Sequence, residues 1–200
     1  MARSKKLPVV LNNDEQLALL DQPNPRYPTG QRNHLILKIM LDTGLRASEA
    51  TNLKWNHIDL MSGKLMVREG KGAKDRTLWL SEDDLELLQK WKKRQADEID
   101  KKCSYIFTTL NGDPIQNRYL RKMVKRYSKK ADIDKNVSPH TLRHTFATDL
   151  YRENKNIFLV QKALGHSDIS TTMVYSHIVD EELENGFKSL NEGRNKRRMS

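Results

Sequence analysis

The chain lacks several things that would place it in other protein classes. Cys103 is the single cysteine in 200 residues, which excludes an intrachain disulfide and a zinc cluster built on cysteines. No run of about eighteen apolar residues occurs, so no membrane span is expected. The opening MARSKKLPVV is basic but has no long apolar segment behind it, and so does not read as a secretory signal. Aromatic residues make up only 6% of the chain, and acids are outnumbered, 26 against 36 lysines and arginines. Internal repeats and a convincing interdomain linker are also missing.

What is present fits one domain with a real core and a large solvated surface. Charged residues reach 31% and the formal net charge is +10. That excess favours a polyanionic partner, nucleic acid foremost. The cytosol is the expected compartment.

Residues 1–12 read as an extended arm. Asn12 or Asn13 caps a short helix from Asp14 to about Leu20, and the proline-rich DQPNPRYP is a loop. Apolar residues Leu35, Ile36, Ile39, Met40 and Leu41 recur at helical spacing within a helix over 31–43, which Gly44 stops. A short helix over 48–53 follows. Three short strands are expected at 58–60, 64–68 and 76–80, separated by turn signals at Ser62-Gly63 and Gly70-Lys71-Gly72. Ser81 with Asp84 opens a helix running to about Asp100. Tyr105-Ile106-Phe107 is a candidate strand, Asn111 to Pro114 a turn, and Asn117 to Lys130 a helix. Ser138-Pro139 starts the first of three more helices, and a last one is expected over 181–190, before a basic tail. The fold class is therefore α+β, mainly helical with a small three-stranded antiparallel sheet, with residues 13–180 as its body and 181–200 as a C-terminal helix and tail.

Residues 118–130, RYLRKMVKRYSKK, contain seven cations and no acid. A charge run is usually a solvated face, but a single-sign run repels itself and nothing local neutralises this one. Arg118, Arg121, Lys122, Lys125 and Lys129 fall on one side, with Leu120, Met123, Val124 and Tyr127 available for the core. The basic side is a candidate DNA-contacting face.

Chemistry-bearing residues are scattered. Arg46 stands where a cation is unfavourable, at a helix start, unless an anion is held there too; Glu49, one turn on, could orient it. Lys71 sits on a glycine-flexed turn between strands. His140 and Arg143 share one face near a helix N-terminus, a natural seat for phosphate. His166 follows the helix stop Gly165. Tyr175 is a phenol that is only about 0.1% ionised at neutral pH and needs nearby positive charge to become a nucleophile. His140 and His144 also have the i, i+4 spacing of a zinc pair, but no glutamate lies between them and no third ligand is evident, so no metal is assigned. Singly, each of these residues has an ordinary structural explanation.

Together they form a pattern. The stretches Thr43-Gly44-Leu45-Arg46-x-Ser48-Glu49, Gly70-Lys71-Gly72-x-Lys74-x-Arg76, Ser138-Pro139-His140-x-Leu142-Arg143-His144-x-Phe146-Ala147-Thr148, Leu164-Gly165-His166-Ser167 and Thr171-Thr172-x-x-Tyr175 follow one another in an order that resembles the catalytic domain of tyrosine recombinases, the Xer-type enzymes and phage or transposon integrases especially. The resemblance covers about residues 8–177. It implies DNA strand exchange without metal or cofactor through a 3′-phosphotyrosyl intermediate. In it, Tyr175 attacks the phosphate, Arg46 and Arg143 clamp its oxygens, and Lys71 protonates the leaving 5′-oxygen. His140 and His166 assist, and Glu49 supports the pocket. It further implies double-stranded DNA as partner, a homotetramer on paired sites, and an N-terminal core-binding domain, which these 200 residues do not contain. A DNA-binding module without catalysis, or a type IB-like relaxing enzyme, are the competing functions; the first leaves the full set of six residues unexplained.

Overall fold

The longest apolar pattern builds the helix on which the rest packs. In the computed structural model, which describes residues 7–68, 75–99, 102–180, 183, 184 and 187, helix α2 runs Pro28–Thr43. It starts three residues before Gln31 because Pro28 occupies the first helical position, where its missing N–H is no loss. Leu35, Ile36, Leu37, Ile39 and Met40 are almost completely buried. At about 1.5–3 kcal/mol for each such side chain, this helix alone contributes a large share of the apolar stabilisation. It ends at Gly44, whose φ of 63° is left-handed. A Cβ at Gly44 would lie 2.3 Å from a ring carbon of Phe146, so both the turn and the close approach require glycine.

Before α2 comes α1 (Asn13–Leu20), closed at its start by a reciprocal pair of bonds between Asn12 and Glu15. After it, α3 (Ala47–Thr51) leads through a 3-10 turn, Trp55–His57, into strands β1 (Ile58–Asp59), β2 (Lys64–Val67) and β3 (Arg76–Trp79). The strands form an antiparallel sheet in that order, with Leu65 opposite Leu78 and Val67 opposite Arg76. Helix α4 (Glu82–Glu98) begins at the Ser81–Asp84 capping box and packs on α2.

Tyr105-Ile106-Phe107 does not become a strand; it makes an isolated bridge from Tyr105 to Lys54. Side chains of α4 consume the carbonyls a strand would need. Trp91 Nε1 donates to Ile106 O at 2.7 Å, and Gln95 Nε2 reaches both Tyr105 O and Ile106 O.

Helix α5 (Asn117–Lys130) has the limits its sequence pattern indicates. Leu120, Met123, Val124 and Tyr127 are buried while all seven cations are exposed. Its position is set by a buried polar network. Arg32 of α2 donates to Thr108 O at 2.6 Å, to Asn33 Oδ1 and to the Tyr119 hydroxyl, and Asn33 Nδ2 donates to the Tyr127 hydroxyl. Each such bond compensates for the desolvation of a buried polar group.

Helix α6 (Pro139–Asn154) packs on α2, and α7 (Ile157–Leu164) packs on α6. A 3-10 turn, Ile169–Thr171, and a helix over residues 174–180 complete the described chain. The helix expected over 181–190 falls outside the described residues apart from 183, 184 and 187, as does the hairpin tip with Lys71. The core has two parts. The large one is built on α2. The small one comprises Ala147, Val160, Leu164, Tyr175 and Ile178. The N-terminal segment lies along this second cluster through Leu7 and Val10, anchored where the Leu11 N–H donates to Thr145 Oγ1 at 2.9 Å.

Candidate phosphate-handling site

Four separate elements deliver charge to one place. The break after α2 at Gly44 brings Arg46 to the start of α3, where its backbone N–H donates to Glu49 Oε2 at 2.7 Å and its guanidinium to Glu49 Oε1 at 2.9 Å. Glu49 is shared. Arg76, arriving from β3, donates to both of its oxygens at 2.9 and 2.8 Å, and also to Ala163 O through Nε at 2.8 Å. One carboxylate thus holds two guanidiniums, and Arg76 ties the sheet to the end of α7.

Arg143, in the second turn of α6, is 5% exposed. It donates to Gly44 O and Leu164 O, each at 2.7 Å, and to His166 Nε2 at 3.2 Å. It therefore bridges the C-terminal ends of α2 and α7, whose terminal carbonyls carry partial negative charge. Burial, then the neighbouring Arg46, draws its pKa down to about 10, so it remains cationic at neutral pH. Because an arginine only donates, His166 Nε2 must accept; the proton then sits on Nδ1, which donates to Thr172 Oγ1 at 3.0 Å. Burial, and the surrounding Arg143, Arg46 and Arg76, push His166 down to about 4. In this state it is a neutral imidazole with a fixed tautomer.

Tyr175 is 1% exposed, and its hydroxyl lies 2.9 Å from His144 Nδ1. Burial raises its pKa to about 12, against the opposing pull of Arg143. The phenol is thus protonated and sheltered, within electrostatic reach of the central guanidinium. His140 is exposed on the first turn of α6, one turn before His144.

The structure brings Arg46, Glu49, Arg143, His166 and Tyr175 together; His140 stands at the edge, and Lys71 is outside the described residues. Two residues of the cluster are not site candidates on sequence: Arg76 and His144. An arginine at an inward position of a strand is the available signal for Arg76, since a buried cation requires a partner. The spacing of His144 from His140 suggests only a metal pair, yet its Nδ1 is engaged with Tyr175. Among the described residues, no three His, Cys, Asp or Glu side chains are grouped as metal ligands.

The described site thus joins guanidiniums held on one carboxylate, a neutral imidazole and a buried phenol. Residues 9–182 match the phage integrase family, and the chain belongs to it. Among its relatives is the tyrosine recombinase XerD of Staphylococcus aureus, 39% identical over 176 residues, which cover 87% of this chain and 59% of the relative. The chain thus spans about three-fifths of the length of such curated relatives. The crystal structure of XerA recombinase is similar with a TM-score of 0.80 at 31% identity, covering 93% of this chain and 66% of that one. XerH site-specific recombinase, solved in a post-cleavage complex with a palindromic difH substrate, matches with a TM-score of 0.80 at 33% identity, over 93% of this chain and 54% of that one.

Proposed function

We propose that this chain is the catalytic part of a site-specific DNA recombinase that cuts and rejoins double-stranded DNA by transesterification at Tyr175. The observation that carries this reading is the gathering of Arg46 and His166 about Arg143, whose charge reaches the buried phenol of Tyr175, four groups from separate elements in an arrangement suited to an anionic substrate. Residues 13–180 form the catalytic domain, and 181–200 a segment for contact with a neighbouring subunit in a tetramer on paired sites. Activity of the whole protein is exerted with a core-binding domain on the opposite face of the DNA, in the cytoplasm at the nucleoid.

In the reaction, Arg46 and Arg143 take the non-bridging oxygens, a task suited to planar, forked donors. The Tyr175 oxygen bonds to phosphorus, the bond to the 5′-oxygen breaks, and Lys71 supplies that oxygen's proton. His140 and His166 face the phosphate, and His166 becomes a donor once the phosphate's negative charge favours its protonation. The phosphotyrosyl bond keeps the energy of the broken one, so a second 5′-hydroxyl can religate without ATP. Guanidinium charge does what a metal ion would do elsewhere.

Covalent trapping tests this directly. The protein is incubated with fragmented DNA of its source organism in EDTA, denatured in SDS, and the attached DNA is sequenced. Wild type is expected to yield adducts concentrated at a few sites, and Tyr175→Phe none; adducts in both would refute the assignment, as would none from wild type with a core-binding domain supplied in trans.

The exposed face of α5 supplies phosphate contacts in this reading. Replacing Arg121 and Lys125 with alanine should lessen the slope of log affinity against log salt by about 2, at ~0.9 for each phosphate no longer neutralised. Anisotropy titrations across salt concentrations measure it, and an unchanged slope would remove this face from the interface.

A further inference from the structure

We propose that His144 accepts the phenolic proton of Tyr175 during DNA cleavage, and so acts as a catalytic residue of this site in addition to Arg46, Lys71, His140, Arg143, His166 and Tyr175. The inference rests on the recombinase reading above and adds a destination for the nucleophile's proton.

Geometry comes first. The Tyr175 hydroxyl and His144 Nδ1 are 2.9 Å apart, within the reach required of a general base before any reorganisation. The direction of the bond follows from acidity. A phenol is a far stronger proton donor than a neutral imidazole N–H, so the hydroxyl donates and Nδ1 accepts, leaving the ring proton on Nε2. His144 lies on α6 immediately after Arg143, so the residue that would hold the phosphate and the residue that holds the nucleophile are adjacent on one rigid element.

The charges around His144 keep it ready. Burial, followed by the neighbouring His140 and Arg143 on its own helix, draws its pKa to about 4, so it is neutral in the DNA-free site. His166, beyond α7, faces it as a further titratable group, and Tyr175 faces it from the helix over 174–180. A base held at about 4 is weak, but Arg143, one source of that lowering, is a cation that a phosphate neutralises. When the phosphodiester enters, the field opposing protonation falls and the basicity of His144 rises as the reaction needs it.

The step balances as follows. The Tyr175 O–H bond breaks and its proton passes to His144 Nδ1. The phenolic oxygen bonds to phosphorus while the bond from phosphorus to the 5′-oxygen breaks, and that oxygen takes a proton from Lys71. Religation reverses this: the imidazolium returns its proton to the departing phenolate, and neutral His144 is regenerated.

The test uses the full chain and a DNA site recovered by trapping, with single-turnover adduct formation as the readout. His144→Ala should slow cleavage by about 10²–10⁴-fold, the usual contribution of a positioned base. His144→Gln preserves packing and can hydrogen-bond the hydroxyl without taking its proton, and it should slow cleavage similarly. A substrate with sulfur in place of the bridging 5′-oxygen needs no proton on its leaving group. It should rescue Lys71→Ala and leave the His144 variants slow. Incorporating 3,5-difluorotyrosine at position 175, a more acidic phenol, should shrink the His144→Ala defect at least ~10-fold, which a merely structural role would not do. Wild-type adducts accompanied by His144 variants within about threefold of wild type would overturn the proposal alone. So would a defect indifferent to fluorination. Absence of adduct from wild type would overturn it together with the recombinase reading.

Discussion

Replacing Arg143 with alanine is expected to lower single-turnover cleavage by at least about 10³-fold, the upper end of what one oriented donor to a developing oxyanion contributes. The effect is expected to be large because the guanidinium serves two ends. It is the central cation of the cluster, and it also satisfies Gly44 O and Leu164 O at 2.7 Å each. Charged hydrogen bonds of this kind are worth about 1.5–3 kcal/mol apiece, and their loss leaves two helix-terminal carbonyls without these partners. At roughly 2–4 °C per kcal/mol for a chain of this size, the thermal midpoint should fall by several degrees. Arg143→Lys separates the two functions. An ammonium keeps the charge but cannot span carbonyls on two helices while presenting a fork to phosphate. Its stability should lie between the other two, with cleavage still down about 100-fold. Scanning calorimetry and adduct kinetics measure the pair, and alanine cleaving at the wild-type rate would contradict the placement of Arg143 at the phosphate.

The second large effect belongs to Glu49. Its carboxylate is buried and holds Arg76, whose side chain is 5% exposed, at 2.8 Å and Arg46 at 2.9 Å. Removing one member of a buried pair costs about 3–5 kcal/mol, because the remaining charge stays buried without compensation. In Glu49→Ala two guanidiniums are left facing each other and Arg143. A fall in the melting temperature of roughly 6–20 °C is expected, and Glu49→Gln, which retains the shape and an acceptor oxygen, should fall less. The distinctive signature is partial restoration by inorganic phosphate. An anion that enters the cluster replaces the lost charge, so added phosphate should raise the melting temperature of Glu49→Ala more than that of wild type. Equal shifts would show that the three arginines do not form one anion site.

Much of this arrangement is legible from residue order. The limits of α5 follow from the apolar set Leu120, Met123, Val124 and Tyr127, and the stop at Gly44 follows from glycine's tolerance of a left-handed turn. The Arg46–Glu49 contact follows from three-residue spacing at a helix start. Other features are set by partners distant in sequence, which spacing does not carry. Tyr105-Ile106-Phe107 has strand-like composition, yet Trp91 and Gln95 from α4 take its carbonyls. Pro28 reads as loop because prolines crowd before it, whereas position N1 is where a helix tolerates proline best. Arg76 enters only as part of a motif, since nothing in a strand's local pattern reveals a carboxylate 27 residues earlier in the chain. The bond between His144 and Tyr175 spans 31 residues and depends on how α7 folds back.

The division of the core bears on how tightly the nucleophile is guarded. Tyr175 belongs to the small cluster with Ala147, Val160, Leu164 and Ile178, whereas Leu35 to Leu41 belong to the large one. Opening of a protein is not uniform; segments with few apolar contacts open at a fraction of the global unfolding free energy. The wall over Tyr175 is therefore expected to open at lower cost than the packing of α2, with Arg143 still tethered to Gly44 O while its bond to Leu164 O, which belongs to the small cluster, is released. In the proposed reaction, access of a phosphate to the phenol would then follow a sub-global equilibrium, which a neighbouring molecule could shift without altering the stability of the domain that carries it.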